Sequence, residues 1–128
     1  MKIKNADLYA VVPFFNSFAI CRLTVSQTVK NATVINRINA ALKIIEQARG
    51  ELTSKHTRID ESGKPLDVGE GMVALTEEGS KAIQELMEME SEVALEGPQY
   101  TIKELEDTKV LLSVTEYESL KRANLLKE

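Results

Sequence analysis

The sequence predicts an α+β domain, mainly helical, with one long amphipathic helix, a second, acidic helix and a small antiparallel sheet. Three observations predict it. Apolar residues from Val29 to Leu52 recur at three- and four-residue steps, the period of one helix face. Met1 to Lys4 and Glu92 to Lys103 alternate instead, the period of a strand. Aromatic residues are 5% of the chain, with no Trp, so Leu, Ile, Val, Ala and Met must fill the core, which suits packed helices. At 128 residues the chain is sized for a single domain, which excludes a multidomain enzyme. Within it we expect a basic helical part over 1–59, a loop over 60–75 and an acidic helix-hairpin-helix part over 76–128.

Taken in order, Met1 and Ile3 mark one side of a short strand, and Asn5 offers a cap for a helix with Asp7 in its first turn. Leu8, Val11, Val12, Phe15 and Phe18 or Ala19 form its apolar stripe, and Pro13 should bend that helix or confine it to one side. The long helix runs from Ser26, as cap, to about Arg58. Ile35, Ile38, Leu42, Ile45 and Leu52 fit successive a and d positions of a heptad, Val34, Ala41 and Ala48 widen the stripe, and Arg49 breaks the series. Gly50 is a weak point, worth about 1 kcal/mol against Ala. Two readings of the stripe stay open: a core-facing helix in a small bundle, or a seam for self-association.

Asp60 to Gly71, DESGKPLDVGEG, holds three Gly and one Pro and reads as a loop. Thr76 caps the acidic helix, whose buried edge is Ala82, Ile83, Leu86, Met87 and Met89 or Glu90, and Gly79 should weaken it. Val93 and Leu95, then Tyr100 and Ile102, alternate with polar residues around Gly97-Pro98, which predicts a hairpin. Lys109 to Leu112 suggests a further strand, and Ser113 with Glu116 forms a capping box for a last helix through Tyr117, Leu120 and Leu125.

The net charge of −4 hides an asymmetry. Residues 1–59 carry nine basic and three acidic side chains, while residues 60–128 carry seven and seventeen. Either the basic half faces an anionic partner, or the acidic half folds back onto it; local neutralisation of packed charges favours the second. Lys30, Arg37, Lys43, Arg49, Lys55 and Arg58 are spread around the long helix without interleaved aromatics, so nucleic acid is an unlikely partner. A single cysteine, Cys21, and no signal peptide lead us to expect an intracellular, reducing compartment. The longest apolar stretch, Ala10 to Ile20, is interrupted by Pro13, Asn16 and Ser17 and is too short for a membrane anchor.

Motifs that carry chemistry fail on inspection. The lone His56 has no second His or Cys at ligand spacing, and Cys21 in its apolar context reads as a core residue rather than a nucleophile. The 60–71 loop has Pro65 where a calcium loop needs Gly and Gly71 where it needs a carboxylate. Gly63-Lys64 is followed by Pro65, so it is no phosphate-binding loop. Glu85, Glu88 and Glu92 have helical spacing that would stack carboxylates, for a cation or an acid and base pair, although a solvated face explains them as well. We therefore expect no catalytic residue, no cofactor and no metal.

MKIKNADL, the stretch from Thr28 to Arg58 ending in DESGKP, then EVALEGPQYTIKEL and LSVTEYESL, resemble a family of small uncharacterised proteins from phages and prophages of Gram-positive bacteria. The order of parts matches across most of the chain, with Pro13 and Phe14-Phe15 as departures. The resemblance implies a viral accessory protein in the bacterial host cytoplasm or the virion, and transfers no site residue. With it, the reading favoured is a non-enzymatic protein that binds another protein, itself or a host factor, as a homo-oligomer through Ile35, Ile38, Leu42, Ile45 and Leu52. The alternative is an inhibitor or sponge of a host defence system that holds a small anionic nucleotide between protomers on Arg22, Lys30 and Arg37. A hydrolase using the Glu85 to Glu92 carboxylates is a third, weaker reading.

Overall fold

The computed structural model describes residues 1–19, 21–69 and 72–127, and its α+β architecture is mainly helical, built on one long rod. That rod, α3 (Val25–His56), has 32 residues, roughly 48 Å at 1.5 Å per residue. Its cap is Thr24 rather than Ser26. The Thr24 hydroxyl accepts from the Gln27 N–H, and the Gln27 side chain accepts from the Thr24 N–H. Ser26 lacks such a reciprocal partner, because the residue three positions on is Val29.

Before the rod come β1 (Lys2–Lys4), α1 (Asn5–Ala10) and α2 (Val12–Phe18), the two helices parting at Val11. Pro13 falls in the first turn of α2, where a missing N–H leaves no bond unmade. Asn5 is not a cap. It is a buried residue of α1 whose Nδ2 donates to the Leu86 carbonyl at 2.7 Å, whose N–H donates to the Met89 carbonyl, and whose Oδ1 accepts from the Ser91 hydroxyl. One side chain thus ties the start of the chain to residues 86–91.

After the rod, β2 (Asp67–Gly69) and β3 (Met72–Val73) pair antiparallel, and bridges Thr57 to Leu75 and Ile59 to Pro65 hold the same arm. The loop expected over 60–75 is therefore corrected, since it contains this strand pair; Glu70 and Gly71 lie outside the described residues. α4 (Glu77–Glu88) starts at Thr76, whose hydroxyl accepts from the Gly79 N–H. β4 (Glu90–Glu92) then pairs antiparallel with β1, setting Lys2 opposite Glu92 and Lys4 opposite Glu90.

The hairpin expected over Glu92 to Lys103 does not form. β5 (Tyr100–Thr101) pairs in parallel with β6 (Leu126–Lys127), and the N–H groups of Gln99 and Tyr100 both reach the Leu125 carbonyl. Thr101 then caps α5 (Ile102–Asp107), accepting from the Glu104 N–H at 3.1 Å, so a helix begins where the second hairpin strand would have continued. Gly97, at φ 136°, makes the intervening turn.

The strand expected over Lys109 to Leu112 is absent too, for a reason shared with the end of α6 (Val114–Arg122). In α5 the Val110 N–H bonds the Leu105 carbonyl and the Lys109 N–H bonds Glu106, while in α6 Leu125 bonds Leu120 and Asn124 bonds Lys121. These are two Schellman ends, with Lys109 and Asn124 left-handed at φ 57° and 58°. Each returns the next apolar residue to the core, which stops α6 at Arg122 instead of carrying it to Leu125. Lysine in that backbone region is strained, so Lys109→Gly should stabilise the protein by about 0.5–1 kcal/mol, read as a higher urea midpoint.

The core is one apolar cluster that draws on residues from Ile3 to Leu126. At its centre Tyr100, 1% exposed, meets Phe14, Phe15 and Phe18 with ring centroids 5.7, 6.2 and 5.8 Å away. Its hydroxyl donates to Asn31 Oδ1 at 2.7 Å, which satisfies the polar end of a ring otherwise wrapped in hydrocarbon.

Candidate functional site

The a and d residues of the long helix are largely consumed inside the protomer. Ile38 and Ile45 are 2% exposed, and Ile35 and Leu42 are half-buried against the same core. Leu52 is also half-buried. Ile38 and Ile45 are thus largely covered within the protomer, while Ile35 and Ile38 also line a surface cleft. Val34 and Ala41, which widen the stripe, are buried with them, and Ala48 is half-buried.

Two of the three anion-binding candidates are engaged within the fold. Lys30 Nζ sits 2.8 Å from both carboxylate oxygens of Glu104 and 4.9 Å from the Tyr100 ring centroid. Arg37 Nη1 donates to the Ala94 carbonyl at 2.9 Å, and Arg22 stands exposed between α2 and α3. Both partners come from the acidic half. Further pairs join the halves: the Met1 ammonium with Glu92 at 3.2 Å, Lys4 with Glu88 at 3.5 Å and Arg122 with Asp7 at 3.3 Å. The charge asymmetry is thus partly neutralised within the fold. Lys30 and Glu104 are the most enclosed of these pairs. Glu104→Gln should cost about 1 kcal/mol by urea unfolding, and Lys30→Met should cost less in that background than alone.

Glu85 and Glu88 lie exposed on α4, whereas Glu92 lies past the helix end on β4, so the three do not stack along one helix. Among the described residues no group of His, Cys, Asp and Glu side chains could hold a metal ion. His56 is in the last turn of α3 and packs against Gly79. Cys21 is half-buried with its thiol 3.6 Å from the Ser17 carbonyl; its neighbour Ile20 lies outside the described residues. No helix among the described residues is long and apolar enough to cross a membrane.

Among the surface clefts the fold leaves open, two lie on an apolar face where α2 runs along α3, apart from one of about 430 Å³ on α4 at Glu85 and Glu88 and one of about 200 Å³ at Leu105 and Leu112. One cleft of about 170 Å³ is lined by Val12, Phe15, Ala19 and Ile35, with Asn16 and Asn39 among its walls. A second, of about 200 Å³, shares Ala19 and Ile35 and adds Phe18, Leu23 and Ala32. Beside them, Val25 and Val29 are 82% and 61% exposed, and Ala32 continues their line at helical spacing. No carboxylate occurs from residue 8 to residue 45, while Arg22, Lys30, Arg37 and Lys43 do.

Sequence reading placed Val29 in the apolar stripe of the long helix and passed over Val25 and Ala32, because a single helix period was assigned to α3; Val29 is instead 61% exposed. Two signals were present: a second apolar row on the opposite side of α3, and the acid-free run of residues 8–45. The chain matches no family model, no curated protein and no solved structure.

Proposed function

We propose that the chain is a non-enzymatic accessory protein, of the phage or prophage kind its sequence resembles, that works in the host cytoplasm or the virion by binding protein through the α2–α3 face. The supporting observation is the exposed row of Val25 and Val29 beside two clefts that share Ala19 and Ile35. An exposed apolar patch bordered by polar groups is the usual mark of a protein interface. This moves the surface from the seam of Ile35, Ile38, Leu42, Ile45 and Leu52 to a neighbouring one that shares Ile35 and Ile38 with it. The nucleotide-sponge alternative gains no support, since Lys30 and Arg37 already have partners within the fold.

A photo-crosslinking residue placed at Val29, and at Ser54 as a control on the same side of α3, tests the reading in the living host. The expected result is a discrete protein adduct from position 29 and none from 54. Identical adduct patterns from the two positions would overturn it.

A further inference from the structure

We propose that the cleft of about 200 Å³ between the end of α2 and the start of α3 is a binding site for a small uncharged carboxamide, an apolar body carrying one C=O and one N–H, with Asn31 as the residue that recognises it. The proposal goes beyond the protein-binding reading and does not depend on it, since neither Val25 nor Val29 lines this cleft.

The observation behind it is a buried amide of which the fold uses only half. Asn31 is 6% exposed, in the second turn of α3, and a polar side chain so enclosed is expected to be bonded. Its Oδ1 accepts from the Tyr100 hydroxyl at 2.7 Å, which fixes the amide in the core. Its Nδ2 donates to no group among the described residues. Nor is that atom sealed in. Glu116 Oε2 is the one fully enclosed side-chain polar atom without a partner among the described residues, so Asn31 Nδ2 keeps an opening, and the cleft is the opening that Asn31 lines. A donor held in place by the core and left unused by the fold is a preorganised recognition group.

The remaining walls set the class of ligand. Phe18, Leu23 and Ile35 supply hydrocarbon, and no charged side chain is among the described residues that line the cleft. A carboxylate or an ammonium would therefore lose its water without gaining a counter-charge. The Cys21 thiol is engaged with the Ser17 carbonyl. Thr28, three residues before Asn31 on the same side of α3, donates its hydroxyl to the Thr24 carbonyl, which leaves the oxygen free to accept. One donor and one acceptor at neighbouring positions match the C=O and N–H of a carboxamide. The volume exceeds the ~150 Å³ of apolar cavities that take up benzene, so a short aliphatic or single-ring body fits.

Hexanamide, titrated into the isolated chain and followed by heteronuclear NMR, is the test. The side-chain NH2 signals of Asn31 should shift with a dissociation constant of about 1 mM, and hexanoate should bind at least tenfold more weakly. Asn31→Asp keeps an oxygen for Tyr100 but has no donor, and should weaken hexanamide at least tenfold. Ala32 is exposed on the rim of the cleft, so Ala32→Phe should melt as wild type does while filling the space, with the same loss of binding; it serves if Asn31→Asp does not fold. Asn31 signals unmoved at about 20 mM hexanamide, hexanoate binding as tightly as the amide, or undiminished binding in Ala32→Phe would overturn the proposal. The titration contains no protein partner, so its failure leaves the protein-binding reading standing.

Discussion

Gly79→Ala is expected to lower stability by about 2–3 kcal/mol, a fall of roughly 10 °C in the melting midpoint. A Cβ at position 79 would lie 2.4 Å from the His56 Cβ and 3.2 Å from its Cγ. Neither atom sits at the far end of a flexible side chain, so relief requires α4 to lift from the end of α3. That movement would strain the bonds that close the junction, Thr76 N–H to the His56 carbonyl and Gly79 N–H to the Thr76 hydroxyl. Composition alone suggests the opposite, that Gly79 weakens its helix and Ala would improve it by about 1 kcal/mol. A double-mutant cycle with His56→Gly separates the two: if close approach is the cause, Gly79→Ala costs far less once the His56 Cβ is gone. An unchanged cost in that background would refute the explanation.

Tyr100→Ala should be the most damaging single truncation in the core, about 4 kcal/mol, because it empties the space shared by Phe14, Phe15 and Phe18. Tyr100→Phe keeps the ring and should still cost about 1–3 kcal/mol, since Asn31 Oδ1 loses its buried donor. The same phenol gives the protein an alkaline limit. Burial, with the Glu104 carboxylate adding to it, pushes the Tyr100 hydroxyl well above its ordinary pKa of 10.0. Above pH about 10 the unfolded chain releases this proton and the folded chain does not, so the unfolded state binds fewer protons and stability falls as pH rises. Urea midpoints measured from pH about 8 to about 11 should decline in the wild type and decline less steeply in Tyr100→Phe. Equal slopes would remove Tyr100 as the cause.

The helical part of the architecture was legible because its signals are local. The periodicity of Val34, Ile38, Ala41 and Ile45 reports a buried face whatever that face meets, and Thr76 and Ser113 announce their helices through a few neighbouring atoms. The strand partners were not legible. Alternation around Tyr100 marks extended chain but does not say which segment it will pair with, and here residues 126–127 outcompete the nearby residues 92–95 because Thr101 turns the chain into α5. Asn5 looked like a cap since capping is the commonest use of Asn before a helix, yet its partners Leu86 and Ser91 lie more than eighty residues away. The open face beside α2 was not legible, because which side of α3 stays uncovered depends on where α2 packs.

The pairing of Lys2–Lys4 with Glu90–Glu92, and of Tyr100–Thr101 with Leu126–Lys127, has a consequence for biosynthesis. While the ribosome is still adding residues after α3, Phe14, Phe15 and Phe18 have been made but the tyrosine whose ring meets them has not. Closure of such distant contacts comes late and slowly. For most of translation the nascent chain therefore displays a sticky helical hairpin without its lid, and yields in a foreign expression host should rise when chaperones that shield apolar segments are supplied in excess.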